Sequence, residues 1–233
     1  MLKIIKLLSV FLTSICLVVS FFQLNKSISI FTIGAPKENK KIIIDAGHGG
    51  FDGGAIAIDG TVEKDINLNI SLSLSEFLKS AGYDVILTRN ADTATDNKPN
   101  SPISVRKTSD LKNRLNLMSQ NSDAIFVSVH LNKFTSSSAN GAQVFYSKNN
   151  DLSRILGQSI QDSFKNMLQQ SNNRVIKMGT SSTYLLHKAK IPAVIVECGF
   201  LSNLKELELL KDKDYQTQIA FCIFCGIMDY EKY

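Results

Sequence analysis

The chain has 233 residues, of which 44% are hydrophobic and 20% charged, and it carries a formal net charge of +5. This composition excludes an intrinsically disordered chain, and four cysteines at this length are too few for a disulfide framework. Three of the positive charges belong to Lys3, Lys6 and Lys26, so the rest of the chain is only weakly basic and gives no argument for binding nucleic acid.

The first 36 residues have the pattern of a targeting segment. Lys3 and Lys6 precede an apolar run over Leu7–Phe22, which is slightly shorter than the about 20 residues of a membrane-spanning helix unless it extends back over Ile4–Ile5. No clear small-residue cleavage site follows, so an uncleaved membrane anchor and a cleaved secretory signal both remain open. Because the basic flank is N-terminal, both interpretations place the following residues outside the cytoplasm.

Residues 37–233 alternate apolar strands with amphipathic helices. In chain order, the pattern predicts a strand over Lys41–Asp45, a helix over 64–81, a strand over Tyr83–Leu87, a helix over Val105–Gln120, strands over Ala124–His130 and Ala142–Tyr146, a helix over Leu152–Met167, short strands over Tyr184–Leu186 and Ala193–Val196, and a C-terminal helix over Tyr215–Gly226. Continuous apolar strands between such helices indicate a sheet that is covered on both faces. The sequence thus predicts an α/β three-layer sandwich with a mixed, mostly parallel sheet, as a single domain over 37–233 that follows a signal or anchor segment and tether over 1–36.

Four polar side chains stand at the ends of these predicted elements. His48 follows the first strand, His130 closes the third, Glu197 follows the last, and Glu63 lies at the start of the first helix. Because sites in such sheets form where strands end, we expect the four side chains to be gathered at one edge. Imidazole and carboxylate groups suit a catalytic zinc site, which uses three protein ligands and a water, while a separate carboxylate moves the proton.

Each of these residues also has a structural interpretation. A histidine that ends a strand is commonly a hydrogen-bonded structural residue, and the helix dipole favours Glu63 in a first turn without any metal. Glu197 is compatible with an ion pair to a lysine or arginine. Judged on spacing alone, a zinc hydrolase and these structural roles stay equally open.

The cysteines do not indicate a further site. Cys222 and Cys225 lie on an apolar helix, and the sequence has no second CxxC pair, so they are predicted to be buried structural thiols. Cys198 follows Glu197 directly, and the alternation of side chains along a strand points its thiol to the opposite face. Cys198 is therefore expected to pack in the core.

Four motifs occur in order along the chain. They are DAGHGG at 45–50, EKDINL at 63–68, SVHLN at 128–132 and VECGFLSN at 196–203. In these motifs the chain resembles the zinc-dependent N-acetylmuramoyl-L-alanine amidases of the third amidase family, which cleave bacterial peptidoglycan. The resemblance covers essentially all of residues 41–230.

The resemblance implies a role for each candidate residue. His48, Glu63 and His130 would bind Zn²⁺, and Glu197 would be the catalytic acid and base. The bond cleaved would be the amide between the MurNAc lactyl group and L-Ala of the stem peptide, with peptidoglycan glycan strands and stem peptides as binding partners. Arg114 also matches a position of the family, and the resemblance implies that its role is structural. His187 falls where relatives often carry Arg or Lys, so its role, at the rim or against substrate, stays open.

A narrower resemblance is to the spore-cortex members of the family, which also have an N-terminal apolar segment and a bare catalytic domain. It implies a role in cortex maturation, in which the amidase acts before a deacetylase to form muramic-δ-lactam. It also implies export to the outer face of the cytoplasmic membrane, the cell wall or the spore cortex space. A vegetative autolysin, a zinc peptidase cleaving within the stem peptide and a non-catalytic wall-binding protein remain alternatives. The need for an accessory protein is left open. The polar segments 90–104 and 134–140 are predicted to be walls of the substrate groove.

Overall fold

The structure is a computed structural model that describes residues 40–233. The predicted targeting segment over 1–36 lies outside these residues, and its anchor or signal role stays a prediction. None of the helices in the described part of the chain has the length and apolarity that crossing a membrane requires.

Strands and helices alternate along the described chain, as the sequence predicts. The strands are β1 (Lys41–Ala46), β2 (Asp84–Leu87), β3 (Ile125–Asn132), β4 (Gln143–Tyr146), β5 (Lys177–Met178) and β6 (Ala193–Phe200). The helices are α1 (Glu63–Ser80), α2 (Ile103–Gln120), α3 (Leu152–Met167), α4 (Tyr184–Lys188), α5 (Leu204–Lys211) and α6 (Lys213–Tyr230).

The six strands form one sheet in the order β2-β1-β3-β6-β4-β5. β1 pairs in parallel with β2 and β3, and β3 pairs in parallel with β6. β4 runs antiparallel to β6, and β5 is parallel to β4. The predicted mixed, mostly parallel sheet is therefore confirmed. Its topology brings the C-terminal ends of β1, β3 and β6 to the same edge as the N-terminal ends of β4 and β5.

Helices cover both faces of the sheet and complete the predicted three-layer sandwich. Alternate strand residues such as Ile44 and Val127 pack against α1, α3 and α6. Their neighbours Ile43 and Phe126 point the other way, onto α2 and α4. We call this second side the α2 face of the sheet.

The prediction of a strand over Tyr184–Leu186 is wrong, because these residues begin α4. Leu185 and Leu186 are neighbours in sequence and both belong to the core on the α2 face, whereas consecutive residues of a strand point to opposite faces. The backbone N–H of Ala189 donates to the carbonyl of Leu185 at 2.8 Å, which closes the helical turn. A run this short carries no period that separates helix from strand.

The sequence patterns also do not predict α5 and β5. A signal for α5 exists, because the Asn203 side chain accepts hydrogen bonds from the backbone N–H groups of Lys205 and Glu206 at 3.0 and 3.3 Å, which is the usual helix N-cap. β5 is an exposed strand of 2 residues at the sheet edge. It is too short for any periodicity to mark it.

Candidate metal centre

The loop that follows β1 is tightly bent around His48. His48 has a φ of 63°, and it is the only residue other than glycine with positive φ among residues 40–233. Gly49 and Gly50 follow with φ values of 133° and 55°, which glycine adopts at little cost. Gly47 allows close contact, since a Cβ atom there would lie 2.4 Å from the His130 ring. The glycines of the first motif therefore let the two histidines approach each other.

Two buried arginines donate hydrogen bonds to backbone carbonyls of this loop and of the end of β1. Arg114 donates to the carbonyl oxygens of His48 at 2.8 Å and Ala46 at 3.1 Å, and it forms a buried ion pair with Asp45. Arg89 donates to the carbonyls of Ala46 at 2.9 Å and Gly47 at 3.0 Å. These bonds satisfy buried acceptors that strand pairing does not reach. The contacts of Arg114 agree with the structural role that the resemblance implies.

The side chains of His48, Glu63 and His130 converge beside this loop. Glu63 Oε1 lies 3.3 Å from Nε2 of His48 and 3.1 Å from Nδ1 of His130. One ligand atom from each of the three residues lies within 4.8 Å of the others. Two imidazoles and a carboxylate are a donor set that suits zinc. The donors come from the β1 loop, the start of α1 and β3, so the fold brings together residues that are far apart in sequence.

Glu63 is oriented by backbone groups as well as by the two histidines. It is the first residue of α1, and its side chain is buried. Oε2 accepts from the N–H of Ala55 at 2.8 Å, and Oε1 accepts from the N–H of Leu131 at 3.0 Å. Burial alone would raise the pKa of Glu63, but the hydrogen bonds with His130 and His48 hold it well below its usual range. The carboxylate is therefore fixed in its charged form.

Asp52 is a site residue that the sequence reasoning missed. Its Oδ2 lies 2.9 Å from Nδ1 of His48, and its Oδ1 pairs with Lys107 Nζ at 2.8 Å. Burial would lower the pKa of His48, but the bonds to Asp52 and Glu63 raise it to about 9. Asp52 occupies Nδ1, which leaves Nε2 of His48 on the side of Glu63. A carboxylate behind a ligating imidazole is a common outer-shell partner in metal sites.

Glu197 lies beside the three donors. It is opposite His130 in the register of β3 and β6, within β6 and not after its end, and opposite Gln143 in the register of β4 and β6. Its side chain is half-buried, and its Oε2 atom is buried without a hydrogen-bond partner among residues 40–233. Burial raises the pKa of Glu197, although the charges of His130 and His48 oppose the rise. The carboxyl group is thus available to a bound molecule.

The structure places the other singled-out residues away from this cluster. Cys198 is buried in the core on the face opposite Glu197, as expected, and Cys222 is also buried. Cys225 is half-buried against the same core, and these three cysteines form no disulfide with one another within residues 40–233. His187 lies in α4, half-exposed, and its backbone carbonyl accepts from Asn149 Nδ2 at 2.8 Å. Its role stays a prediction.

Comparisons with known proteins agree with this arrangement. A family model described as N-acetylmuramoyl-L-alanine amidase, the third amidase family, matches residues 42–229. The chain belongs to this amidase family. The germination-specific N-acetylmuramoyl-L-alanine amidase of Bacillus subtilis (strain 168) is 32% identical over 229 residues, which cover 98% of this chain and 95% of that protein.

Solved structures of amidases from the same family share the fold. The CwlD amidase from Clostridioides difficile, in complex with the GerS lipoprotein, is 45% identical, with a TM-score of 0.79 over 82% of this chain and 98% of that chain. An N-acetylmuramoyl-L-alanine amidase from Clostridium difficile 630 is 27% identical, with a TM-score of 0.72 over 83% and 97% of the two chains. Membership in the amidase family makes this chain a peptidoglycan amidase and confirms the family that the four motifs indicate.

Proposed function

We propose that this amidase is zinc-dependent and hydrolyses the amide between the MurNAc lactyl group and L-Ala of the stem peptide. His48, Glu63 and His130 hold the metal, and Glu197 is the catalytic acid and base. The observation that carries the proposal is the convergence of three metal-compatible donor atoms within 4.8 Å, beside a carboxyl oxygen that is buried without a partner among residues 40–233. The residues present fit the metal, because two histidines and one carboxylate are the three-ligand donor set that catalytic zinc sites use, and they would hold the ion here.

The metal, Glu197 and Asp52 have different roles in the proposed hydrolysis. Zinc at such a site supplies Lewis acidity towards the amide carbonyl and makes water acidic near neutral pH, with a pKa of about 7. Glu197 accepts the proton of the attacking water and then delivers it to the nitrogen of L-Ala, which leaves as a free amine. The products are a lactyl carboxylate on the glycan and a stem peptide with a new N-terminal L-Ala. Asp52 holds the ring of His48 in the orientation that the metal needs.

The cellular setting is part of the same proposal. Two relatives support a role in spore cortex maturation: the germination-specific amidase, which matches over 98% of this chain, and the CwlD amidase at 45% identity. Release of the lactyl carboxylate supplies the group that closes into muramic-δ-lactam once the amino sugar is deacetylated. We place the protein outside the cytoplasm, at the membrane surface, in the cell wall or in the cortex space. Because the CwlD amidase was solved with a lipoprotein, we also propose an accessory lipoprotein partner.

Product analysis tests the proposal. The purified full chain is incubated with spore-cortex and with vegetative peptidoglycan, with and without a chelator, and the products are identified by mass. We expect free stem peptides that begin with L-Ala, no release after zinc removal, and faster release from cortex. Fragments cut within the stem peptide would identify a zinc peptidase, and binding without release would identify a wall-binding protein. Faster release from vegetative wall would favour an autolysin.

Asp52→Asn is expected to weaken zinc binding by about 10–100-fold, the usual cost of losing an outer-shell partner of a ligating histidine. The substitution keeps the shape of the side chain but removes the charge that lies 2.9 Å from His48 Nδ1. Zinc affinity is measured by competition with a chromogenic chelator. Asp162→Asn, at an exposed position on α3, is the matched control. Equal zinc affinity in Asp52→Asn and wild type would contradict the role of Asp52.

A further inference from the structure

Arg174, in the segment before β5, forms no ion pair with an acidic side chain among residues 40–233. Its Nε donates to the carbonyl of Asn140 at 2.6 Å, and its Nη1 donates to Oε1 of Gln143 at 3.2 Å. No hydrogen bond in residues 40–233 uses its Nη2 atom, and no ion pair there includes Arg174. The charge of Arg174 acts on Glu206, but the Glu206 carboxylate accepts its hydrogen bonds from the backbone N–H groups of Gly141 and Phe200. The guanidinium therefore keeps donor capacity for a bound anion.

The fold fixes the plane of this guanidinium. It lies 4.5 Å from the ring centroid of Phe200, which is fully buried. Phe200 pairs with Asn132 after a register shift in the β3–β6 ladder. Stacking on an immobile ring and two hydrogen bonds leave the guanidinium little rotational freedom. A preorganised arginine of this kind suits bidentate binding of a carboxylate.

Gln143 lies between Arg174 and Glu197, at the edge of the sheet that carries the three donor side chains. Gln143 is buried, and it is the cross-strand partner of Glu197 in the antiparallel pair of β4 and β6. Directly opposite residues in such a pair have Cβ atoms about 5 Å apart on one face of the sheet. Arg174, Gln143, Glu197 and His130 therefore follow one another along the same edge, on the α2 face.

A polar cavity adjoins the guanidinium. It has a volume of about 340 Å³ and is lined by segments 138–140 and 171–174. Arg174 is the one charged residue in its lining, and serine and asparagine make up nearly all of the rest. The cavity includes part of segment 134–140, which the sequence predicts to be a groove wall. Its chemistry suits a polar, negatively charged segment of substrate.

We propose that Arg174 binds a free carboxylate of the stem peptide, on the leaving-group side of the scissile amide, and so selects the substrate. This inference rests on the proposed function and deepens it. The residue after L-Ala in the stem peptide is D-Glu, which is linked through its γ-carboxyl and so keeps its α-carboxyl free. Gln143 alone separates Arg174 from Glu197, so a short stretch of extended peptide, at about 3.3–3.6 Å per residue, connects them in this proposal. Arg174 is thus a specificity residue that contacts substrate away from the reacting atoms.

The test compares two muropeptides that differ only in this group. Both contain MurNAc-L-Ala-γ-D-Glu; in one the α-carboxyl of D-Glu is free, and in the other it is amidated. The zinc-loaded full chain, Arg174→Gln, Arg174→Lys and the control Arg154→Gln, at an exposed arginine on α3, are assayed for kcat/KM on both. For wild type and the control we expect a preference for the free carboxylate of about 10–100-fold, the value of a charge-assisted hydrogen bond. Arg174→Gln should remove this preference, and Arg174→Lys should keep part of it.

The outcomes separate the inference from the proposed function. A wild type that cleaves both muropeptides equally well, or an Arg174→Gln variant that loses rate equally on both, overturns the inference and leaves the amidase mechanism intact. A wild type that cleaves neither, while wall peptidoglycan also releases no stem peptide, overturns the proposed function and the inference with it. If Arg174→Gln does not fold, Arg174→Lys takes its place, and a preference equal to that of wild type in Arg174→Lys overturns the inference.

Discussion

Replacing Glu197 with glutamine should lower the rate of amide hydrolysis by about 10²–10⁴-fold, the usual contribution of a general acid and base. Glutamine has nearly the same shape but cannot accept the proton of the attacking water at neutral pH. Zinc content should stay at the wild-type level, because His48, Glu63 and His130 form the donor cluster without Glu197. The substitution keeps the size of the side chain and removes a charge at a place where Oε2 has no hydrogen-bond partner among residues 40–233, so folding should not suffer.

The measurement is zinc stoichiometry and muropeptide release on the same purified sample. Glu76→Gln, at an exposed position on α1, is the matched control and should behave as wild type. If zinc is lost together with activity, Glu197 is a ligand and the division of roles is wrong. If activity survives, a group other than Glu197 is the base.

His130→Ala should abolish zinc binding and hydrolysis together. A three-ligand site with only His48 and Glu63 left should lose more affinity than the about 10–100-fold that an outer-shell change costs. Glu63 would also lose the imidazole that lies 3.1 Å from its Oε1, although the N–H of Leu131 still binds the same oxygen at 3.0 Å. The strand itself should persist, because Val129 and Leu131 keep their places in the core.

The chain offers an internal control for this experiment, since it has three histidines and only His187 lies outside the cluster. His187→Ala should retain zinc at the wild-type level. Thermal unfolding in the presence of chelator should give similar midpoints for His130→Ala and wild type, which separates loss of metal from loss of fold. Wild-type zinc content in His130→Ala would show that His130 is not a ligand.

Much of the site was predictable because its residues mark the ends of predicted elements. Apolar periodicity located β1, α1, β3 and β6, and sheet topology gathers the ends of such strands at one edge. His48, Glu63, His130 and Glu197 therefore came together where the sequence indicated. Asp52 was not found, because a carboxylate four residues after a histidine carries no signal outside a helix. Only the positive φ of His48 and the turn that follows bring Asp52 to its Nδ1 atom.

The amino-acid sequence by itself determined the sandwich architecture, the family and the four candidate site residues His48, Glu63, His130 and Glu197. Each of these follows from an apolar pattern or a motif that lies within a short stretch of the chain. The tertiary structure decided what depends on pairing between distant stretches. The antiparallel register of β4 with β6 sets Gln143 beside Glu197, and Arg174 joins them through a loop whose own sequence shows no period. α4 forms a helix because the consecutive residues Leu185 and Leu186 are both buried against the α2 face of the sheet. Register and packing of this kind are non-local, so no window of sequence contains them.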